Sequence, residues 1–121
     1  DVDKMNIGAS HLIGTHDFAN LALKVDNERN TIRKIYRWDI WRERELVIIE
    51  CKGNAFLPHQ IRSTNGLLVE IGLSKKSPSV IKDVIDGRIM TRKNWPVLPA
   101  RGLCLMEVEY QDLSNTGKLA I

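Results

Sequence analysis

Cysteine is scarce in these 121 residues, and the two present, Cys51 and Cys104, both sit inside apolar, strand-like runs. A disulfide-stapled secreted domain is therefore not indicated. Buried free thiols in a reducing, cytoplasmic compartment are the simpler reading, ahead of a single bridge. His11, His16 and His59 show no ligand spacing with cysteines or carboxylates, so no metal is expected. No apolar run approaches the roughly 20 residues that span a bilayer, which excludes a membrane helix. No basic stretch leads into an apolar one of the secretory kind, and no leader is expected. The chain opens on Asp1 rather than Met, which suits a fragment of a longer protein. Internal repeats and low-complexity tracts are missing too.

What is present, 43% hydrophobic and 27% charged residues, is the composition of a soluble globular protein, and the length suits one domain over 1–121. The net charge of +3 hides a segregation. Residues 29–62 hold eight Lys/Arg against four Asp/Glu and residues 75–101 seven against two, whereas residues 1–28 hold two against five. Positive charge gathered in this way fits a phosphate backbone; it fits an ordinary basic surface equally.

Val2, Met5, Ala9, Leu12 and Ile13 recur at helical spacing, with Asp1 or Asp3 as the cap and Gly14 as the stop. Thr15-His16-Asp17-Phe18 then reads as a polar loop whose ring plugs the core. Thr31 to Arg42 alternates, placing Ile32, Tyr36, Trp38 and Ile40 on one face and Arg33, Ile35, Arg37 and Asp39 on the other. Arg42-Glu43-Arg44-Glu45 reads as a hairpin turn into a strand whose buried face is Val47, Ile49 and Cys51. Ser77-Pro78 supplies a cap and first-turn proline for a helix striped by Val80, Ile81, Val84 and Ile85 and ended by Gly87. The basic loop 88–99 carries Trp95, which either stacks on a base or anchors the loop. Leu103 to Tyr110 alternates again, with Leu103 and Leu105 opening one face. Residues 111–121 read as a frayed tail. Helix, strand, strand, helix, helix, strand predicts an α+β fold, an antiparallel sheet with helices packed on one face.

One stretch organises the rest: Gly53-Asn54-Ala55-Phe56-Leu57-Pro58-His59-Gln60-Ile61-Arg62, followed by Ser63-Thr64-Asn65-Gly66. Gly-Asn breaks the preceding strand, and Pro58 fits a first helical turn, where its missing N–H costs nothing. Apolar residues at Leu57, Ile61, Leu68 and Ile71 continue a helix to about Leu73. Arg62 lies about 100° round from Ile61, beside the apolar face. A guanidinium there is either solvated or meets an anion, because it is costly to desolvate alone.

The pattern Gly-Asn-Ala-Phe-Leu-x-His-x-Ile-Arg-x-x-x-Gly-x-Leu-x-Glu-Ile-Gly resembles a signature of TruA-type tRNA pseudouridine synthases. So do His16-Asp17-Phe18, Asn30-Thr31-Ile32-Arg33-Lys34-Ile35-Tyr36, Leu73-Ser74-Lys75-Lys76-Ser77-Pro78 and Pro99-Ala100-Arg101-Gly102-Leu103-x-Leu105. They stand in that family's order and spacing from about Met5 to Tyr110. The resemblance implies the C-terminal half of a bilobal catalytic domain, each half ferredoxin-like, isomerising uridine to pseudouridine in the tRNA anticodon stem-loop. It implies no cofactor, tRNA as partner, and a homodimer. The reaction needs a flipped-out base, a nucleophilic carboxylate and a closed pocket for the loose uracil. The family's Arg-Thr-Asp-type nucleophile motif is absent from this chain, and Arg62 matches the arginine that pairs with that aspartate. By the same resemblance His16, Asp17, Phe18 and His59 belong near the RNA. Arg33, with Arg37, would lean into a groove carrying its backbone, and Leu103 and Leu105 would floor the uracil pocket or pack under a helix. Asp17 as a substitute nucleophile has no sequence feature that places it near Arg62. Trp95-Pro96-Val97-Leu98 departs from the family's Gly-Pro-Thr-type sequence, and Cys104 stands where an aromatic is common. The alternative is a stand-alone, non-catalytic RNA-binding or interaction domain on the same fold.

Overall fold

A computed structural model describes residues 1–21, 30–56, 60–87, 105–111 and 114–120, the last two ranges by backbone alone. Helix α1 (Val2–Ser10) leads into strand β1 (Gly14–Asp17) and a 3-10 turn at Ala19–Leu21. Strands β2 (Ile32–Glu43) and β3 (Leu46–Gly53), helices α2 (Gln60–Gly72) and α3 (Val80–Ile85), and strands β4 (Leu105–Gln111) and β5 (Ser114–Ala120) follow. The strands make one five-stranded antiparallel sheet in the order β1-β2-β3-β5-β4. Helix α1 packs on α2, α3 and β2, so the architecture is α+β, with helices against one sheet face.

Asp1 caps α1 by accepting the Lys4 N–H at 3.1 Å, and the helix closes at Ser10, short of the expected stop at Gly14. Met5, Ala9 and Leu12 turn inward and meet Leu67, Leu68 and Ile71 of α2 and Ile81 and Val84 of α3. Burying one such aliphatic side chain contributes about 1.5–3 kcal/mol, so this seam dominates the domain's stability. Gly8 lets α1 and α2 approach closely: a β-carbon there would stand 3.0 Å from Ile71 Cδ1. Where β2 runs on past the short β1, its open edge is met by Asn6, whose amide donates to the Ile40 carbonyl and accepts the Ile40 N–H, at 2.7 and 3.1 Å. One side chain thus docks α1 and satisfies a strand edge.

Three expectations need correction. Thr15-His16-Asp17 is not a loop but part of β1, paired from Gly14↔Ile35 to Asp17↔Ile32. A short, polar edge strand carries no apolar alternation to betray it. Residues 114–120 are no frayed tail: β5 lies inside the sheet, with Ile48↔Ala120 through Gly53↔Asn115 on one side and β4 on the other. Finally, the alternation along β2 is broken. Its register against β3 shifts between Ile35 and Arg37, so Ile35, Trp38 and Ile40 are buried together while Ile32 and Tyr36 are exposed. An extra residue in one strand reverses which parity faces inward. The same bulge parts Arg33 from Arg37: Arg33 shares the side of Ile35, and Arg37 the open face.

The hairpin falls as expected, with Arg44 and Glu45 between the partners Glu43 and Leu46. Cys51 is buried on β3. Ser79 rather than Ser77 takes the cap position of α3, and Gly87 follows its last turn. No described helix is long and apolar enough to cross a membrane. Cys104 and the loop 88–99 lie outside the described residues.

Candidate functional site

Arg62 sits in the first turn of α2, partly buried, and the chain on either side of it is firmly anchored. Upstream, Asn54 doubles back on β2: its N–H donates to the Lys34 carbonyl and its side-chain oxygen accepts the Lys34 N–H, both at 3.0 Å. The Gly-Asn break therefore latches the end of β3 beside Arg33. Downstream, Trp38 donates its indole N–H to Asn65 Oδ1 at 3.0 Å, a bond within the core. The Trp38 ring also meets Phe56 edge-on, with centroids 6.2 Å apart at 79°. Trp38 is thus a post between the incoming loop and the helix. Ile61 packs against the core, and Arg62 lies next to it at the margin, where periodicity placed it.

The first half of α2 is unusual for a core helix. Gln60, Ser63, Thr64 and Asn65 are all fully buried. Buried polar groups are costly unless satisfied and demand a specific seating. Asn65 sits one turn beyond Arg62, so its bond to Trp38 fixes the helix's rotation and with it the direction in which the Arg62 side chain leaves the backbone.

A second group forms where β1 meets β2. His16 and Arg33 are register partners. The His16 Nε2 bonds the Ile13 carbonyl at 2.8 Å, and its ring lies T-shaped on Phe18 at 5.7 Å. Phe18 is fully buried and offers no surface; its part is to hold His16 and plug the core. Asp17 Oδ1 accepts from Thr31 Oγ1 at 2.6 Å and from the Ala19 N–H at 3.0 Å. Arg33 donates through Nη1 to the carbonyls of Asn30 and Ile32, at 2.7 and 2.8 Å. These contacts fasten the two strand ends and fix where both charges stand. Arg37, on the open face, is matched by Glu50 at 2.9 Å and Asp39 at 3.8 Å.

The structure therefore gathers His16, Asp17, Phe18 and Arg33 at one end of β2, where Asn54 is latched to Lys34. Leu105 opens β4, an edge strand, as the backbone partner of Ala120. His59 and Leu103 lie outside the described residues. Trp38, Asn54 and Asn65 went unmarked in the sequence. Asn54 and Asn65 stand in the organising stretch, but an Asn beside Gly reads as a turn residue, and nothing local pairs Asn65 with a tryptophan 27 positions away. Among the described residues, no three His, Cys, Asp or Glu side chains gather as metal ligands would.

Fold and site together define an α+β domain whose second helix opens on a buried polar seam and carries a partly buried arginine in its first turn. The model of the tRNA pseudouridine synthase family matches residues 9–111, and the chain belongs to that family. It is 37% identical over 110 residues to tRNA pseudouridine synthase A of Coxiella burnetii, covering 91% of this chain and 42% of that protein. The protein of that name in Citrifermentans bemidjiense is 32% identical over 112 residues, 93% of this chain and 45% of its own length. In Buchnera aphidicola the figures are 34% over 110 residues, 91% and 41%. The chain thus spans less than half the length of these curated relatives.

Proposed function

We propose that the chain is the C-terminal portion of a tRNA pseudouridine synthase, and that Arg62 is the partner of a nucleophilic aspartate supplied from outside residues 1–121. The observation that carries this reading is the family match across the segment that holds Arg62 on an anchored helix. The reaction breaks the bond from the ribose to a uracil nitrogen, turns the ring, and rejoins it through carbon. A carboxylate enclosed with the loose uracil tends to take up a proton, because burial disfavours its charge; an adjacent guanidinium opposes that. Arg62 supplies that positive charge, and His16, Arg33, His59, Leu103 and Leu105 belong to the surface receiving the RNA. Asp17, engaged by Thr31 and the Ala19 N–H, anchors that surface. The reading carries with it tRNA as substrate, a homodimer, and the cytoplasm.

In the full-length enzyme, Arg62→Ala should slow single-turnover pseudouridine formation far more than it weakens tRNA binding. Losing a close positive partner raises an aspartate pKa by about 1–3 units, so part of the rate should return at higher pH. Arg62→Lys should rescue incompletely, since an ammonium lacks the bidentate fork. Unchanged turnover in Arg62→Ala would sink the assignment.

A further inference from the structure

We propose that Tyr36 is a stacking platform for an unpaired RNA base, with Lys34 and Lys52 placed to meet the phosphates on either side. This rests on the RNA-binding reading above but concerns a different face of the sheet and a residue with no part in the chemistry. Tyr36 is the inserted residue of the β2 bulge: Ile35 pairs with Gly53 and Arg37 with Lys52, leaving Tyr36 without a partner on β3. Bulges re-aim side chains. Here the extra residue lets Ile35 and Trp38 both face the core, so that Tyr36 and Arg37 emerge side by side on the face away from the helices. Tyr36 is 43% exposed, although Ile35 just before it and Trp38 two places after it are almost wholly buried.

The surroundings suit a nucleic acid better than an apolar partner. Lys34 Nζ lies 5.5 Å from the centroid of the Tyr36 ring, a cation–π contact that steadies it. Lys52 stands across the ladder from Arg37 on the same face. Arg37 is matched by Glu50 and Asp39, but neither Lys34 nor Lys52 forms an ion pair among the described residues. Exposed Ile32, two positions before Lys34, extends the flat surface. An exposed aromatic flanked by cations on a sheet face is the arrangement that holds single strands, with bases on the ring and phosphates on the lysines.

The test is fluorescence anisotropy of the 121-residue chain with a short fluorescein-labelled oligouridylate, beside a duplex RNA of equal length. Tyr36→Ala should lose roughly 5- to 150-fold in affinity for the oligouridylate, the range for one stacked base, and bind the duplex as the parent does. Tyr36→Phe and Tyr36→Trp, which keep a ring, should bind close to the parent. Lys34→Ala and Lys52→Ala should each flatten the dependence of log affinity on log salt by about 0.7, one phosphate contact apiece. Circular dichroism checks that each variant keeps its fold. Undiminished affinity in Tyr36→Ala overturns the proposal, as it would if the ring docks a protein; so does an equal loss in Tyr36→Phe, or a parent chain that does not bind the oligouridylate. Turnover does not enter, so failure of the Arg62 assignment would leave this result standing, and the reverse.

Discussion

The bond between Trp38 and Asn65 can be tested by removing each end in turn. Asn65→Ala leaves the indole N–H in a core position only 3% exposed, with its acceptor gone. An unsatisfied buried donor costs about 1–3 kcal/mol. Two smaller effects oppose each other. Alanine is the better helix former, by up to about 0.7 kcal/mol. The vacated space loses contacts of comparable worth. The buried Asn65 Nδ2 has no hydrogen-bond partner among the described residues, so its loss adds no penalty. The net expectation is therefore about 1–3 kcal/mol.

Trp38→Phe inverts the defect, stranding Asn65 Oδ1 instead, and loses part of a large ring besides. The double variant removes both polar ends, so it should be less destabilised than the two single changes together, with a coupling of about 0.5–1.5 kcal/mol. Urea unfolding followed by far-ultraviolet circular dichroism measures this without relying on tryptophan emission, and an unchanged slope against urea would show that the transition is still comparable. Additive losses, within about 0.3 kcal/mol, would refute the claim that this bond seats α2.

Two more outcomes follow from the fold. Gly53→Ala would put a β-carbon 3.0 Å from both the Lys34 carbonyl oxygen and Ile35 Cδ1; because the carbonyl is backbone held by the Asn54 latch, we expect a loss of about 1–3 kcal/mol in thermal or urea unfolding, and a wild-type midpoint would show that the latch gives freely. Ending the chain after Asp112 removes β5 and exposes the flanks of β3 and β4; the truncated protein should lose its cooperative unfolding transition, whereas the parent's full stability would mean that β5 contributes nothing.

How much of this was legible beforehand depended on whether a signal repeats. Helix α1, the β2–β3 hairpin and α2 announce themselves because many residues repeat one period, and a single exception does not hide it. Strands β1 and β5 carry mostly polar residues and glycine and are held by backbone pairing, so Thr15-His16-Asp17 and Ser114–Ala120 read as loop and tail. The bulge at Tyr36 was beyond reach for another reason: alternation is an assumption about an unbroken ladder, and one inserted residue inverts it downstream. The site shows the same division. Arg62 could be placed from its neighbours on the helix, but what aims it could not, because Trp38 reaches Asn65 and Asn54 reaches Lys34 across gaps in sequence that the fold alone closes. A helix seated only by its apolar stripe could rotate a few tens of degrees at little cost, since hydrophobic contact is not directional. A buried hydrogen bond is directional, and its loss strands a polar group. The polar residues at the start of α2 therefore give up some hydrophobic stabilisation for a fixed azimuth, and that azimuth is what an arginine needs if it must meet one carboxylate rather than solvent.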